Sequence, residues 1–125
     1  MSYFASPVRA SEPEVYETIV QLLGTGAAVP TKVLGTGISI SRTAAGRILL
    51  TWADNPGTFV GIGGWGFNAA TQGDVKGHTV TASVYPLTAS TYTLELDIWD
   101  SAFAAEDLEA LEWLTVRLLF KRTGV

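Results

Sequence analysis

Cysteine is absent from this 125-residue sequence, and histidine occurs once. Without cysteine, disulfides and thiolate metal sites are excluded, and so is a small secreted scaffold stapled by disulfides. A zinc site usually draws on several histidine or cysteine ligands, which this chain does not supply. A Ser–His–acid triad would have to use His78, and a hydrolase would require it to lie in a cleft beside an acid and a hydroxyl. We therefore expect a protein that is not an enzyme, with no catalytic residues, cofactor or metal.

Charge is scarce as well. Asp, Glu, Lys and Arg make up 16% of the chain, against about 25% in a typical soluble domain, whereas hydrophobic residues reach 47%. The net charge of −4 argues against a nucleic-acid partner, and no stretch approaches the roughly 20 apolar residues that span a membrane. So few charges predict that partner chains cover part of the apolar surface. A threonine-rich β-protein that is soluble as a monomer is the alternative.

The chain does have a clear hydrophobic alternation with a period of two. In "STYTLELDIW", Leu94, Leu96 and Ile98 share one face, while Glu95 and Asp97 share the other face, which we expect to be solvated. The segments "ETIVQLL", "GISISR", "RILLTW", "HTVTASVY" and "LTVRLLFKR" repeat the pattern. They predict these inward-facing residues: Thr18, Val20, Leu22, Ile38, Ile40, Ile48, Leu50, Trp52, Val80, Ala82, Val84, Tyr92, Val116, Leu118 and Phe120.

Turn signals separate these segments at short intervals. "RTAAGR" (42–47) and "DNPG" (54–57) both suit turns, the second with Pro56 fixing φ and Gly57 free to take a positive φ. Short alternating strands with such punctuation are typical of sandwiches and barrels. We predict an all-β fold, an antiparallel, jelly-roll-like β-sandwich over residues 16–125, with at most one short helix.

Two segments are candidates for helix, and one of them is also consistent with a strand. Residues 11–24 have Ser11 and Glu14 at capping-box spacing, as in a helix. The same stretch is rich in β-forming residues, so we favour a strand from about Tyr16. Residues 104–113 are a second candidate, for one or two helical turns before the last strand.

The first 15 residues lack periodicity and contain two prolines. They are predicted to form an N-terminal arm outside the core, and a disordered tail is the alternative. The arm carries the apolar residues that we predict to contact a partner: Tyr3, Phe4, Pro7 and Val8.

Residues 61–67, "GIGGWGF", contain the glycine spacing of a dinucleotide-binding loop. That loop requires a strand before the glycines and a helix after them, because the helix N-terminus binds the pyrophosphate. The following "FNAATQGDVKGH" is too short and too interrupted by glycine for that helix. We therefore interpret the glycines as places for β-bulges or close backbone approach, with Trp65 and Phe67 packed over them or exposed as a contact surface.

Two further groups of residues have polar or aromatic chemistry. Trp99 has the parity opposite to Leu96 and Ile98, so it is a candidate for an outward-facing contact or a sugar-binding platform. The acidic residues between Glu95 and Glu112 match no EF-hand loop, and we expect a solvated acidic surface there.

Three stretches, "GTGAAVPTKVLGTGISISRTAAGRILLTW", "VKGHTVTASVY" and "LTVRLLFKRTGV", resemble tailed-phage virion structural proteins, in particular the small head decoration, or cement, proteins. The matching features are the strand–turn–strand "GTGISISRTAAGR", the turn "WADNPGTFVG" and the last strand "TVRLLFKR". The resemblance covers roughly residues 17–125, and its motifs are strand and turn patterns that many β-proteins share.

The resemblance implies a non-enzymatic capsid decoration protein, made in the host cytoplasm, that binds the outer surface of a phage head and stabilises it. It also implies a homotrimer with the major capsid protein as partner, and it transfers no functional residue. A glycan-binding or structural module of a phage tail or fibre is the alternative. Under both hypotheses of function, the predicted contact residues outside the arm are Trp65, Phe67 and Trp99.

Overall fold

The computed structural model describes residues 15–71, 75–84 and 92–121. These ranges contain eight strands and no helix. They therefore include no helical segment that is long and apolar enough to cross a membrane. The strands are β1 (Val15–Leu23), β2 (Thr31–Leu34), β3 (Ile38–Ala44), β4 (Arg47–Trp52), β5 (Thr58–Ala69), β6 (Thr79–Val84), β7 (Tyr92–Trp99) and β8 (Glu112–Lys121).

The strands form two four-stranded antiparallel sheets that pack face to face. Sheet A has the order β2-β1-β8-β5, and sheet B has the order β3-β4-β7-β6. The predicted antiparallel β-sandwich is therefore confirmed. The N-terminal arm, with Tyr3, Phe4, Pro7 and Val8, lies outside the described residues, apart from Val15, which begins β1.

The core lies between the two sheets and follows the period-two pattern. On β7, Leu94, Leu96 and Ile98 are buried, as predicted. The other fully buried apolar residues are Val20, Leu22, Ile38, Ile48, Leu50, Val80, Leu108, Leu114, Val116, Leu118 and Phe120. Partly buried side chains packed against them include Ile40, Trp52 and Ala82. Val84 was also predicted to face inward, but its side chain is not among those that the structure describes.

The contested first segment is a strand. β1 pairs with β8 along its whole length, from Val15 opposite Lys121 to Leu23 opposite Trp113. This pairing buries the apolar face of β1 in the sandwich, which outweighs the helix-capping signal of the preceding residues. The expectation of helical turns in residues 104–113 is wrong, because a loop precedes β8 there.

Aromatic rings close the end of the core at which β1 and β5 begin. The ring of Phe120 packs 5.2 Å from Trp52 and 5.5 Å from Phe59, measured between ring centroids, with edge-to-face geometry. The Tyr16 hydroxyl donates a hydrogen bond to the carbonyl of Pro56 in the predicted 54–57 turn. Gly57 in that turn has a φ of +97°, as predicted.

Candidate functional site

The glycine string lies inside strand β5, not at a junction between strand and helix. The register of β5 against β8 shifts twice, which leaves Val60 and Gly63 as the extra residues. Each shift is a β-bulge that moves the following side chains to the opposite face. The first bulge places Ile62 on the inner face, and the second returns Trp65 and Phe67 to it. Gly63 therefore has the predicted role of a glycine in a β-bulge, whereas the extra residue of the first bulge is Val60.

Trp65 closes the side of the sandwich between the edge strands β5 and β6. It pairs with Val116, whose side chain is buried, yet 44% of Trp65 is exposed because no further strand of sheet A lies beyond β5. Its indole Nε1 donates a hydrogen bond to the backbone oxygen of His78, 3.3 Å away. Trp65 thus bridges the two sheets and still presents aromatic surface.

Phe67 is half-buried against the core and against the loop before β6. Gly77 lies so close to its ring that no side chain would fit between them. This placement favours packing, and the predicted partner contact of Phe67 stays a prediction.

Trp99 lies on the outer face of sheet B, as its parity predicted. Its indole Nε1 donates a hydrogen bond to the hydroxyl of Thr81, 2.8 Å away, which fixes the ring beside the neighbouring strand β6. The side chain is half-buried. Trp99 therefore combines an aromatic surface with a hydroxyl at its side.

His78 connects the two tryptophans. Its backbone N–H donates to the oxygen of Trp99 at 2.8 Å, while its backbone oxygen accepts from Trp65. Its exposed ring places Nδ1 2.8 Å from the hydroxyl of Thr79. We name this group of residues, which hydrogen bonds connect at the meeting of β5 and β6, the aromatic edge; its members are Trp65, His78, Thr79, Thr81 and Trp99. The sequence marks both tryptophans as contact candidates, but it does not indicate that they lie close to a common residue.

The aromatic edge offers stacking surfaces and hydroxyl groups rather than a reacting constellation. Amphipathic rings of this kind are enriched where proteins contact other molecules, because one part is apolar and another donates a hydrogen bond. The arrangement suits binding to a partner surface or to the face of a sugar ring.

Glu112 corrects the prediction of a solvated acidic surface, because its buried carboxylate holds the loop beside the aromatic edge. Glu112 is 0% exposed. Its Oε2 accepts hydrogen bonds from the amides of Lys76, at 3.0 Å, and Gly77, at 2.9 Å, and its Oε1 accepts from the amide of Glu109, at 2.8 Å. The parity of Glu112 with Leu114 was the available signal, since it places the side chain on the inner face.

Glu95 and Asp97 correct the prediction of a solvated face. Both side chains lie on the face of β7 that points away from its core residues, yet each residue is only 8% exposed. Thr43 donates a hydrogen bond to Glu95, 3.0 Å away, and Arg47 Nε lies 3.8 Å from Oδ1 of Asp97. Burial and the neighbouring Glu95 raise the pKa of Asp97 above its ordinary value, against a smaller opposing effect of Arg47.

Two further acidic side chains, those of Asp107 and Asp100, are held by structural contacts. Asp107 forms a two-pronged ion pair with Arg42, at 2.9 and 2.8 Å, and accepts from the amide of Gly46. Hydrogen bonding from Arg42 lowers the pKa of Asp107 below its ordinary value. Asp100 caps its own turn by accepting from the amides of Ala102 and Ala104. No group of three or more potential metal ligands occurs in the part of the chain that the structure describes.

Open grooves lie at both ends of the sandwich. One, of about 390 Å³, runs between the β3–β4 turn and the loop before β8, where Ala45, Ala105 and Glu106 line it. Another, of about 320 Å³, is lined by Lys32, Ser39 and Trp52, among others. Both are shallow and open to solvent, which suits contact with a surface better than enclosure of a small molecule.

Comparison with family models, with characterised proteins and with solved structures finds no match to this chain. The structure itself defines the fold class of the protein, which is an all-β antiparallel sandwich. Fold by itself does not specify function, so the functional argument rests on surfaces and their chemistry.

Proposed function

We propose that this protein is a non-enzymatic structural component of a virus particle, a decoration protein that binds the outer surface of a tailed-phage head as a homotrimer. It would be made in the host cytoplasm and would stabilise the head by bridging subunits of the major capsid protein. The resemblance of its strand and turn patterns to head decoration proteins supports this proposal.

The observation that carries the proposal is the exposed apolar surface at both edges of sheet A. Edge strand β2 exposes Val33 by 46% and Leu34 by 48%, and edge strand β5 exposes Val60 by 55% and Trp65 by 44%. A closed ring of identical subunits needs two different contact surfaces on each subunit, one for each neighbour. Apolar side chains on two opposite edges meet that requirement.

The charge content of the chain points in the same direction. Only 16% of its residues are charged, so charged side chains offset the exposed apolar edges less than on a typical soluble domain. Lateral contacts between subunits would remove these edges from water, at about 25 cal/mol for each Å² of apolar surface buried. Avidity would then allow weak contacts of each subunit with the head to add up.

Measurement of the oligomer tests the ring. Light scattering should give three times the mass of the chain, and Leu34→Ser or Val60→Ser should shift it towards the monomer. Ile19→Ser is the matched control, because Ile19 is exposed on the outer face of sheet A and not at its edge. A monomeric wild type would contradict the proposal.

Binding to heads tests the second part. The trimer should co-sediment with DNA-free phage heads stripped of their own decoration protein. We predict that the arm makes this contact through Tyr3, Phe4, Pro7 and Val8, so removal of residues 1–14 should abolish binding while the sandwich still folds. If the truncated protein coats heads normally, the arm is not the contact.

A glycan-binding module of a tail or fibre is the second candidate, and the aromatic edge favours it. Trp99 with the Thr81 hydroxyl beside it is a suitable platform for a sugar ring, and Trp65 lies across His78 from it. On a glycan array, Trp99→Ala should remove binding, whereas Trp113→Phe on sheet A should preserve it. Absence of any glycan signal for the wild type would eliminate this candidate.

A further inference from the structure

We propose that Glu95 and Asp97 share one proton in the folded protein and thereby make the stability of sheet B depend on pH. The two residues are separated by one position on the central strand β7 and project from the same face. Each is only 8% exposed, so water solvates neither carboxylate well. This inference is independent of the proposed assembly function.

The first reason for a shared proton is an oxygen of Asp97 that lacks a hydrogen bond among the residues that the structure describes. Oδ1 of Asp97 is buried, and within the described ranges it has no hydrogen-bond partner. A buried ionised carboxylate without hydrogen bonds is unfavourable, whereas a protonated one is neutral and can donate. The natural acceptor for a hydrogen bond from protonated Asp97 is Glu95, which lies on the same face of β7. Oε2 of Glu95 is already oriented by the hydroxyl of Thr43.

The charges around the pair are the second reason. From β4, Arg47 faces Asp97, but its Nε is 3.8 Å from Oδ1 and its side chain is about half exposed. From β6, the residues opposite are Thr81 and Ser83, which carry no charge. One loosely held cation therefore faces two carboxylates.

The remaining charged side chains nearby are engaged elsewhere. Asp100, which follows β7, directs its carboxylate to the amides of its own turn. Arg42 on β3 is paired with Asp107. Two like charges held close together in a poorly solvated place favour uptake of one proton, as the raised pKa of Asp97 also indicates.

The direction of the pH effect follows from linkage. In the unfolded chain Asp97 loses its proton near its ordinary value of about 4, whereas in the folded protein its raised pKa keeps the shared proton bound to higher pH. The folded state then binds more protons than the unfolded state, so the free energy of unfolding falls as the pH rises above about 4. The decline ends where the folded pair has lost its last proton.

Direct titration of the wild-type protein gives the first test. The carboxyl carbon shift of Asp97, followed by NMR from pH 3 to 9, should show a transition above the ordinary value for Asp. A transition of Asp97 at or below the ordinary value would overturn the proposal.

Variants give the second test. Asp97→Asn mimics the protonated form, because its amide can donate to Glu95, so its urea midpoint should decline less than that of the wild type as the pH rises from about 4 to 8. In Glu95→Gln the new amide can donate to Asp97 and so favours its ionised form, so this variant should also decline less, and it keeps the test available if the first variant does not fold. Asp54→Asn, at an exposed turn, is the control and should follow the wild-type decline. A wild-type midpoint that does not decline over this range would overturn the proposal.

Discussion

Gly77 lies directly against the ring of Phe67, since a Cβ added at Gly77 would fall 2.1 Å from Cε1 of that ring. The contact joins the loop before β6 to the end of β5 and so supports the aromatic edge. It also explains why a glycine is required here although its φ is not positive: the constraint is space, not backbone conformation.

Gly77→Ala should therefore destabilise the protein by about 3 kcal/mol, the upper end of usual overpacking penalties. Gly66→Ala is the matched control, because Gly66 is on β5 and its added Cβ would meet nothing within 4 Å. That substitution should be neutral or stabilise by up to about 1 kcal/mol, since alanine loses less conformational entropy on folding. Urea denaturation of both variants checks the difference, and equal midpoints would contradict the packing argument.

Glu112→Gln should destabilise the protein by about 1–3 kcal/mol. The substitution places an amide group where Glu112 now accepts three backbone hydrogen bonds, so at least one of these N–H groups loses its acceptor inside the protein. Hydrogen exchange at the amides of Lys76 and Gly77 should accelerate more than exchange at the core strands. Glu109→Gln serves as the control, because Glu109 contributes its backbone amide and its side chain is exposed.

The ion pair between Asp107 and Arg42 predicts a loss of stability in acid. The pKa of Asp107 is lowered in the folded state, so between that value and the ordinary value of about 3.9 the unfolded chain binds more protons. The stabilisation is complete above about 4 and is lost as the pH falls through the folded value. Thermal unfolding from pH 2 to 6 should show a smaller acid-induced decrease in Tm for Asp107→Asn than for the wild type.

Two glycines with positive φ separate backbone strain from steric conflict. Gly26 has a φ of +83° and open space around it, so Gly26→Ala should destabilise by about 1–2 kcal/mol through strain alone. Gly46 has a φ of +70°, and its added Cβ would lie 2.6 Å from the backbone nitrogen of Glu106. Gly46→Ala should therefore have the larger effect in a denaturation series. An equal effect of the two substitutions would show that the loop at Glu106 moves aside without penalty.

The strands and their inner faces could be predicted from sequence because alternation is a local property. Val20 and Leu22 on β1, like Val116 and Leu118 on β8, point inward wherever the strand is placed. The prediction of helical turns in residues 104–113 was wrong because these residues make contacts with distant parts of the chain. The amide of Glu106, for example, donates to the oxygen of Ile98 on β7.

The candidate site could be predicted only in parts. Trp65 and Trp99 were recognisable as aromatic residues at unusual positions, but they lie on different sheets. His78 joins them through its backbone, and a backbone contact leaves no signature in residue type. The burial of Glu95 and Asp97 was missed for a related reason, since the side chains that surround them come from other strands.

By itself, the sequence determined an all-β chain with few charges, no cysteine and period-two apolar faces, because these properties depend only on residue types and their spacing. The tertiary structure decided the two bulges in β5, the meeting of β5 and β6 at the aromatic edge, and the pairing of two carboxylates in a poorly solvated place. These features arise from the register and proximity of segments far apart in the chain, where solvation and steric contact depend on neighbours that local patterns do not specify.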